Sequence, residues 1–219
     1  MKTLSTRGHI YSLLKEDILK LILLPGDQIS EKEISEKFKV SRTPVRESFL
    51  QLSKEGLLDI YPQKGTCVSL IDLNLVEEAR FMREHLEIAV IKLACENFSQ
   101  EKLFSLEMNL KMQEMCMKER NYEQLFQLDE ELHQTIFEEC KKSNIWFTIQ
   151  QMNMPFNRIR VLRLVADFNW DNIYHQHLMI VEAIKNKKPE VAVKVIQEHL
   201  TMVVFDKEKL KEEYPSYFK

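Results

Sequence analysis

The sequence predicts a mainly α-helical chain in two parts, a small N-terminal unit of helices with a two-stranded hairpin and then an all-helical bundle. Glycine placement is the first observation behind this. All four glycines, Gly8, Gly26, Gly56 and Gly65, fall in the first 65 residues, and the region beyond Asp72 has none and only Pro155, Pro189 and Pro215. Positive-φ turns form most easily at glycine, so that region reads as helices with short connections rather than a sheet. The second observation is apolar spacing of three and four along most of the chain. The third is a run of turn residues, Pro62-Gln63-Lys64-Gly65, between two short apolar segments. The boundary is placed at residue 70, giving domains 1–70 and 71–219.

Composition narrows the class. A chain of 219 residues with 44% hydrophobic and 30% charged residues can bury a real core. No segment approaches 18 apolar residues, and no basic stretch leads into an apolar run at the N-terminus, so neither a membrane span nor a signal peptide is expected. Cys67, Cys95, Cys116 and Cys140 are widely spaced without a paired motif, which fits reduced thiols and a cytoplasmic location. The net charge of -3 is uneven. Residues 1–70 hold 11 Lys/Arg against 9 Asp/Glu, and the remainder 20 against 25. Only the first part offers a field that favours a phosphate backbone.

From the N-terminus, residues 1–7 read as a loose polar arm in which Arg7 is the useful charge for a phosphate. A helix from about His9 to Leu21 puts Ile10, Leu14, Ile18 and Leu21 near one face, and Leu24-Pro25-Gly26-Asp27 turns the chain. Gln28-Ile29 makes a short strand. A helix over Ser30–Phe38 carries Ile34 and Phe38. After Val40, a second helix starts with Ser41 at its N-cap and Pro44 in its first turn, and buries Val45, Phe49 and Leu52. Leu57–Tyr61 and Thr66–Leu70 form a hairpin around the Pro62–Gly65 turn. Three helices and a hairpin make a winged helix-turn-helix, with Arg42, Thr43 and Arg46 at the leading turns of the groove-reading helix and Lys64-Gly65 at the wing tip.

Asp72 caps a helix reaching about Glu96, with Leu75, Ala79, Met82, Leu86, Val90 and Leu93 among its apolar positions. Further helices are expected at about 100–118, 121–139, 142–166, 171–186 and 189–208, the third of these bending or splitting at Pro155. Asp129 and His133 share a helix face four residues apart. With His177 and His199 they make one carboxylate and three imidazoles, a donor set suited to zinc or another first-row ion such as nickel or manganese. By spacing alone the metal signal is weak, since a buried histidine bonded to a neighbour is the commoner outcome. His85 and His175 are decoys, and Glu130 and Glu131 read as solvated charges. Arg158, Arg160 and Arg163 face solvent or an anionic ligand. Met108, Met112, Met115 and Met117 read as helix core and interface packing.

Pro25-Gly26, Ile29, Glu33, the block Ser41-Arg42-Thr43-Pro44-Val45-Arg46-Glu47, Leu52, Glu55-Gly56-Leu57, Pro62-Gln63-Lys64-Gly65 and Val68 together resemble the DNA-binding domain of the GntR family of bacterial transcriptional regulators. The resemblance implies that Arg42 and Arg46 contact an operator, that Thr43 sits at the helix entrance, and that the wing around Lys64 and Gly65 borders the minor groove. The candidate DNA-binding set is Arg7, Glu33, Ser41, Arg42, Thr43, Arg46, Lys64 and Gly65. An arginine fork pairs bidentately with guanine or clamps a phosphate, and both roles stay open.

From about residue 76 to 201 the chain is similar to the FCD effector domain of the FadR-like branch. Arg83-Glu84-His85-Leu86-Glu87 resembles its first-helix motif, and Asp129, His133, His177 and His199 fit its metal-binding positions. The pattern departs from that domain in the methionine-rich helix and in Asn169-Trp170-Asp171-Asn172. The resemblance implies a divalent metal, with Arg83 either near a ligand carboxylate or paired with Glu87. The expected protein is a homodimer on double-stranded operator DNA, without membrane association, acting as a repressor whose affinity is altered by a small organic acid. It is not expected to be an enzyme, since no nucleophile or acid/base constellation is clear; a constitutive DNA-binding protein and a helical metallohydrolase are the alternatives.

Overall fold

The computed structural model describes residues 5–166 and 170–219, with residues 203–205 described by backbone alone. The first four residues of the expected arm, and Asn169 in the approach to His177, lie outside the described residues. Two compact units emerge: Met1–Leu73 with Lys211–Lys219, and Asn74–Leu210. The first unit thus includes nine C-terminal residues that the sequence division had left with the bundle. They return because Ile71 N–H donates to Tyr217 O (2.8 Å) and Lys219 N–H to Ile71 O (3.1 Å).

The first unit is built from α1 (Thr6–Leu19), β1 (Gln28–Ile29), α2 (Glu31–Phe38), α3 (Arg42–Lys54), β2 (Leu58–Tyr61) and β3 (Gly65–Val68). The strands form an antiparallel sheet in the order β1-β3-β2. Ile10, Leu14 and Ile18 of α1 meet Val45, Phe49 and Leu52 of α3 in a core closed by Leu57, Leu58 and Val68. Burying this many branched and aromatic side chains, at about 1.5–3 kcal/mol each, is what holds so small a unit together. Helix α1 starts three residues before the sequence reading, because the Ser5 side chain caps it by accepting from Gly8 N–H (3.2 Å). Arg7 is therefore a helical residue rather than part of a loose arm, and its guanidinium donates to Gln51 Oε1 of α3 (2.9 Å).

The second unit is all helical: α4 (Leu73–Glu96, entering from the first unit), α5 (Gln100–Glu119), α6 (Tyr122–Glu139), α7 (Ser143–Met152), α8 (Met154–Val165), α9 (Trp170–Lys185) and α10 (Pro189–Glu213). The segment expected over 142–166, bending or splitting at Pro155, is split into two helices. Pro155 stands in the first turn of α8, where its missing N–H does no harm, and Asn153 separates the pieces. Helix α5 packs on α6 and α9, and α6 on α7 and α8. The core half of the methionine expectation needs correction. Met108, Met112 and Met115 are 39%, 47% and 60% exposed, and only Met117 packs against the buried cluster of Cys116, Leu125, Leu128, Leu164 and Ile173. The buried stripe of α5 is instead Leu103, Leu106, Leu110, Gln113 and Cys116. Among the described residues no helix is long and apolar enough to cross a membrane.

Candidate DNA-reading surface and metal centre

In the first unit, α2 ends on Lys39 in the left-handed region (φ 53°), and Val40 N–H donates to Ser35 O (3.0 Å), so the chain turns sharply into α3. Ser41 holds the N-cap position with extended backbone but makes no side-chain cap. Arg42, Thr43 and Arg46 are all exposed on the first turns of α3. Arg46 is not idle there: its Nε and Nη2 donate to Glu31 of α2 at 2.9 and 3.0 Å. That fork fixes the direction of the guanidinium, a partner the sequence pattern did not reveal. Glu33 has a structural task, accepting from Ser30 N–H (3.1 Å) while Ser30 Oγ accepts from Glu33 N–H (3.1 Å), a reciprocal capping box at the start of α2. Lys64 is exposed at the hairpin tip, between Gln63 at φ 63° and Gly65 at φ 107°. Gly65 is required there, since that φ strains any residue with a Cβ and one would also stand 3.4 Å from Gln28 Oε1.

In the second unit, the four expected ligands come together. Helix α6 buries Leu125, Leu128, Asp129, Leu132, His133, Ile136 and Phe137, so two polar residues sit inside an apolar stripe. His177 lies in the stripe Ile173-His177-Ile180-Ile184 of α9, and His199 between Ile196 and Leu200 of α10. One donor atom from each of the four residues falls within 4.8 Å of the others. His177 Nε2 is 3.4 Å and His199 Nε2 3.8 Å from Asp129 Oδ1, His133 Nε2 is 3.9 Å from Oδ2, and the Nε2 atoms of His133 and His199 are 3.4 Å apart.

These residues fit a divalent ion. His177 Nε2 is fully buried and makes no aligned hydrogen bond. Donors about 2.0–2.2 Å from a tetrahedral ion stand roughly 3.3–3.6 Å from one another, against the 3.4–3.9 Å found here. Burial pushes the His177 and His199 imidazoles below their usual range, His199 far below it, which leaves them neutral and able to ligate. Burial alone would raise the Asp129 carboxyl, but the Arg160 guanidinium and the imidazoles overcome it and hold the group well below the usual carboxylate range.

The surrounding charges depart from the sequence reading. Glu130, expected in solvent, is largely buried and accepts from Arg83 (3.1 Å), Arg160 and Gln150. Arg160 also bonds Asp129, with its guanidinium 4.9 Å from the centre of the Phe126 ring. Arg163 pairs with Asp206 through Nε (2.8 Å) and Nη2 (2.7 Å). Arg83 is fully buried between Glu87 (2.5 Å) and Glu130, over Trp146, with Nη2 lacking a partner. It is not among the residues lining the cavity beside the four ligands; Asp129, Arg160, Arg163, His199, Phe126 and Phe156 are. That cavity has about 20 Å³ of room, enough for about one water or a small ion. His85 and His175 are exposed and stand apart from the cluster.

Comparison with known proteins places both halves. Residues 6–68 match the bacterial regulatory proteins of the gntR family, and residues 78–202 match the FCD domain. The chain belongs to the GntR family. Two HTH-type relatives cover nearly its whole length. The HTH-type transcriptional repressor RspR of Escherichia coli is 29% identical over 96% of this chain and 92% of its own. An HTH-type transcriptional regulator from an unstable DNA locus of Streptomyces ambofaciens is 31% identical over 98% and 90%. The solved structure of E. coli McbR/YncC shares the fold, with a TM-score of 0.78 at 20% identity over 97% of this chain and 100% of that one. As a GntR-family protein with an FCD domain, the chain is a DNA-binding transcriptional regulator.

Proposed function

We propose that this regulator is a repressor whose operator affinity is set by a small organic acid bound at a divalent cation in the FCD domain. The observation that carries the reading is the convergence of three histidine Nε2 atoms on one buried carboxylate, with no aligned hydrogen bond at the buried His177 Nε2. Asp129, His133, His177 and His199 hold the ion, which supplies Lewis-acid attraction for a carboxylate or hydroxyl oxygen. Arg160 and Arg163 line the adjoining cavity and face the anionic end of the acid. Because about 20 Å³ admits only one water, binding an acid of several heavy atoms requires lining side chains to move, and that movement is the differential interaction a two-state regulator needs. Arg83, paired with Glu87 and Glu130, serves the network behind the site, with Nη2 its one unpaired donor.

On the DNA side, Arg42, Thr43 and Arg46 read the major groove while Lys64 and Gly65 approach the minor groove, in a homodimer that sets two recognition helices on a near-palindromic site. Exposure of the three α3 residues supports this. Arg7 braces α1 on Gln51 with its guanidinium still half exposed toward phosphate, Glu33 serves the capping box of α2, and Ser41 stands at the start of α3, where backbone N–H groups meet phosphate. Repression is favoured by the name of the E. coli relative. The test is operator affinity of chelator-stripped and zinc-loaded protein with a panel of hydroxy acids and dicarboxylates. A change that needs both ion and acid and is absent in Asp129→Ala supports the reading. Affinity indifferent to both sinks it and leaves a constitutive DNA-binding protein.

A further inference from the structure

Each histidine of the cluster is held at its far nitrogen by a different buried or half-buried group. His177 Nδ1 lies 2.7 Å from Gln113 Oε1, His199 Nδ1 3.1 Å from Gln176 Oε1, and His133 Nδ1 2.6 Å from Glu87 Oε2, the last an ion-pair contact rather than an aligned hydrogen bond. The fourth member follows the same plan, since Arg160 Nη2 holds Asp129 Oδ2 while Oδ1 faces His177 and His199.

The hydrogen bonds behind Gln113 fix the proton on His177. Leu128 O can only accept, so Asn109 Nδ2 donates to it (3.0 Å), which leaves Asn109 Oδ1 as an acceptor. Gln113 Nε2 donates to that oxygen (2.7 Å), turning Gln113 Oε1 toward the ring, where it too can only accept. The proton of His177 therefore sits on Nδ1, and its lone pair is on Nε2, the atom that makes no aligned hydrogen bond. Gln176 Oε1 beside His199 Nδ1 and the Glu87 carboxylate beside His133 Nδ1 are acceptors that favour the same tautomer, the second through an ion-pair contact. Three lone pairs then point into one buried space, a costly arrangement unless something positive stands among them.

We propose that Gln113, Gln176 and Glu87 are positioning residues of the cation site, each locking one histidine in the tautomer that presents Nε2, and that Gln113 carries the largest share that can be removed without breaking an ion pair. This rests on the metal reading above. Gln113 is fully buried and makes the shorter amide contact, whereas Gln176 is half-buried at 3.1 Å, so the effects are graded. Loss of such an outer acceptor lowers metal affinity roughly 10- to 100-fold.

The test titrates Co2+ into chelator-stripped full-length protein, reading affinity by competition with a chromophoric chelator and geometry from the visible d–d bands. Gln113→Leu is expected to bind Co2+ at least about 10-fold more weakly with shifted bands, and Gln113→Glu, which keeps an acceptor there, to recover affinity to within a few-fold of wild type. Gln176→Leu should lose less, and it decides the matter if Gln113→Leu does not fold. Wild-type affinity and bands in both leucine variants would overturn the positioning role while leaving the cation site standing. Absence of Co2+ binding in wild type would overturn the metal reading, and the positioning role with it.

Discussion

In the absence of metal, acid should loosen the helical unit well before carboxylates titrate. His177 and His199 are buried, and burial holds both imidazoles neutral in the folded chain at pH values where the unfolded chain takes up protons. A folded pKa below the unfolded value of about 6.5 means that the unfolded state binds more protons below that pH, so stability is complete above it and falls as the pH drops through it. Each imidazole that stays neutral when folded costs about 1.4 kcal/mol on moving from pH 7.5 to 5.5, so the two together cost up to about 2.7 kcal/mol. For a chain of this length that is a fall of roughly 5–11 °C in Tm. Calorimetry of chelator-stripped protein across that range measures it, and His199→Gln should show about half the drop. A Tm flat between pH 7.5 and 5.5 would refute the idea that buried neutral imidazoles are held there.

Other outcomes follow from the same geometry. Zinc at 100 times its Kd should add about 2.7 kcal/mol to stability, again read as a rise in Tm, and His177→Ala should abolish the rise; an equal rise in the variant would place the ion elsewhere. Arg42→Ala with Arg46→Ala should weaken operator binding and lower the slope of log affinity against log salt by up to about 2 in anisotropy titrations; an unchanged slope and affinity would remove both residues from the interface. Glu87, held down to about 2 by His133 and Arg83 against its burial, contributes stability that is present above about pH 4.5 and is lost as the pH falls toward 2. Glu87→Gln should therefore flatten acid unfolding in that lower window, and an unaltered profile would show that the carboxylate is not the group titrating. Ser30→Ala, which removes one half of the capping box on α2, should cost about 1 kcal/mol in urea unfolding; no loss would mean water replaces the cap.

What could be read from sequence follows a physical divide. Helix α3 and its exposed Arg42, Thr43 and Arg46 were legible because capping, proline placement and a three-four apolar stripe are local rules. Asp129 and His133 were legible as a pair because a helix puts positions four apart on one face, and His177 and His199 through family resemblance. Partners across helices were not. Glu130 follows Asp129 along α6 and reads as solvated until α4 and α8 bring Arg83 and Arg160 to it. Arg7 looked like an arm because the Ser5 cap lies before the first apolar residue of α1. Gln113 left a faint signal, a lone amide in the stripe Leu103-Leu106-Leu110-Gln113, since a polar group at such a position needs a partner. The methionines of α5 misled because their spacing matches a helix face without saying which face is covered.

Metal content of tag-free protein purified without chelator, with His133→Ala and His177→Ala beside wild type, bears most directly on the cation site. About one divalent ion per wild-type chain, lost in both variants, is the expected result. A wild-type chain that takes up no ion after exposure to zinc, nickel or manganese would contradict it, returning Asp129 and the three histidines to the role of buried polar groups while leaving the DNA-reading helix untouched.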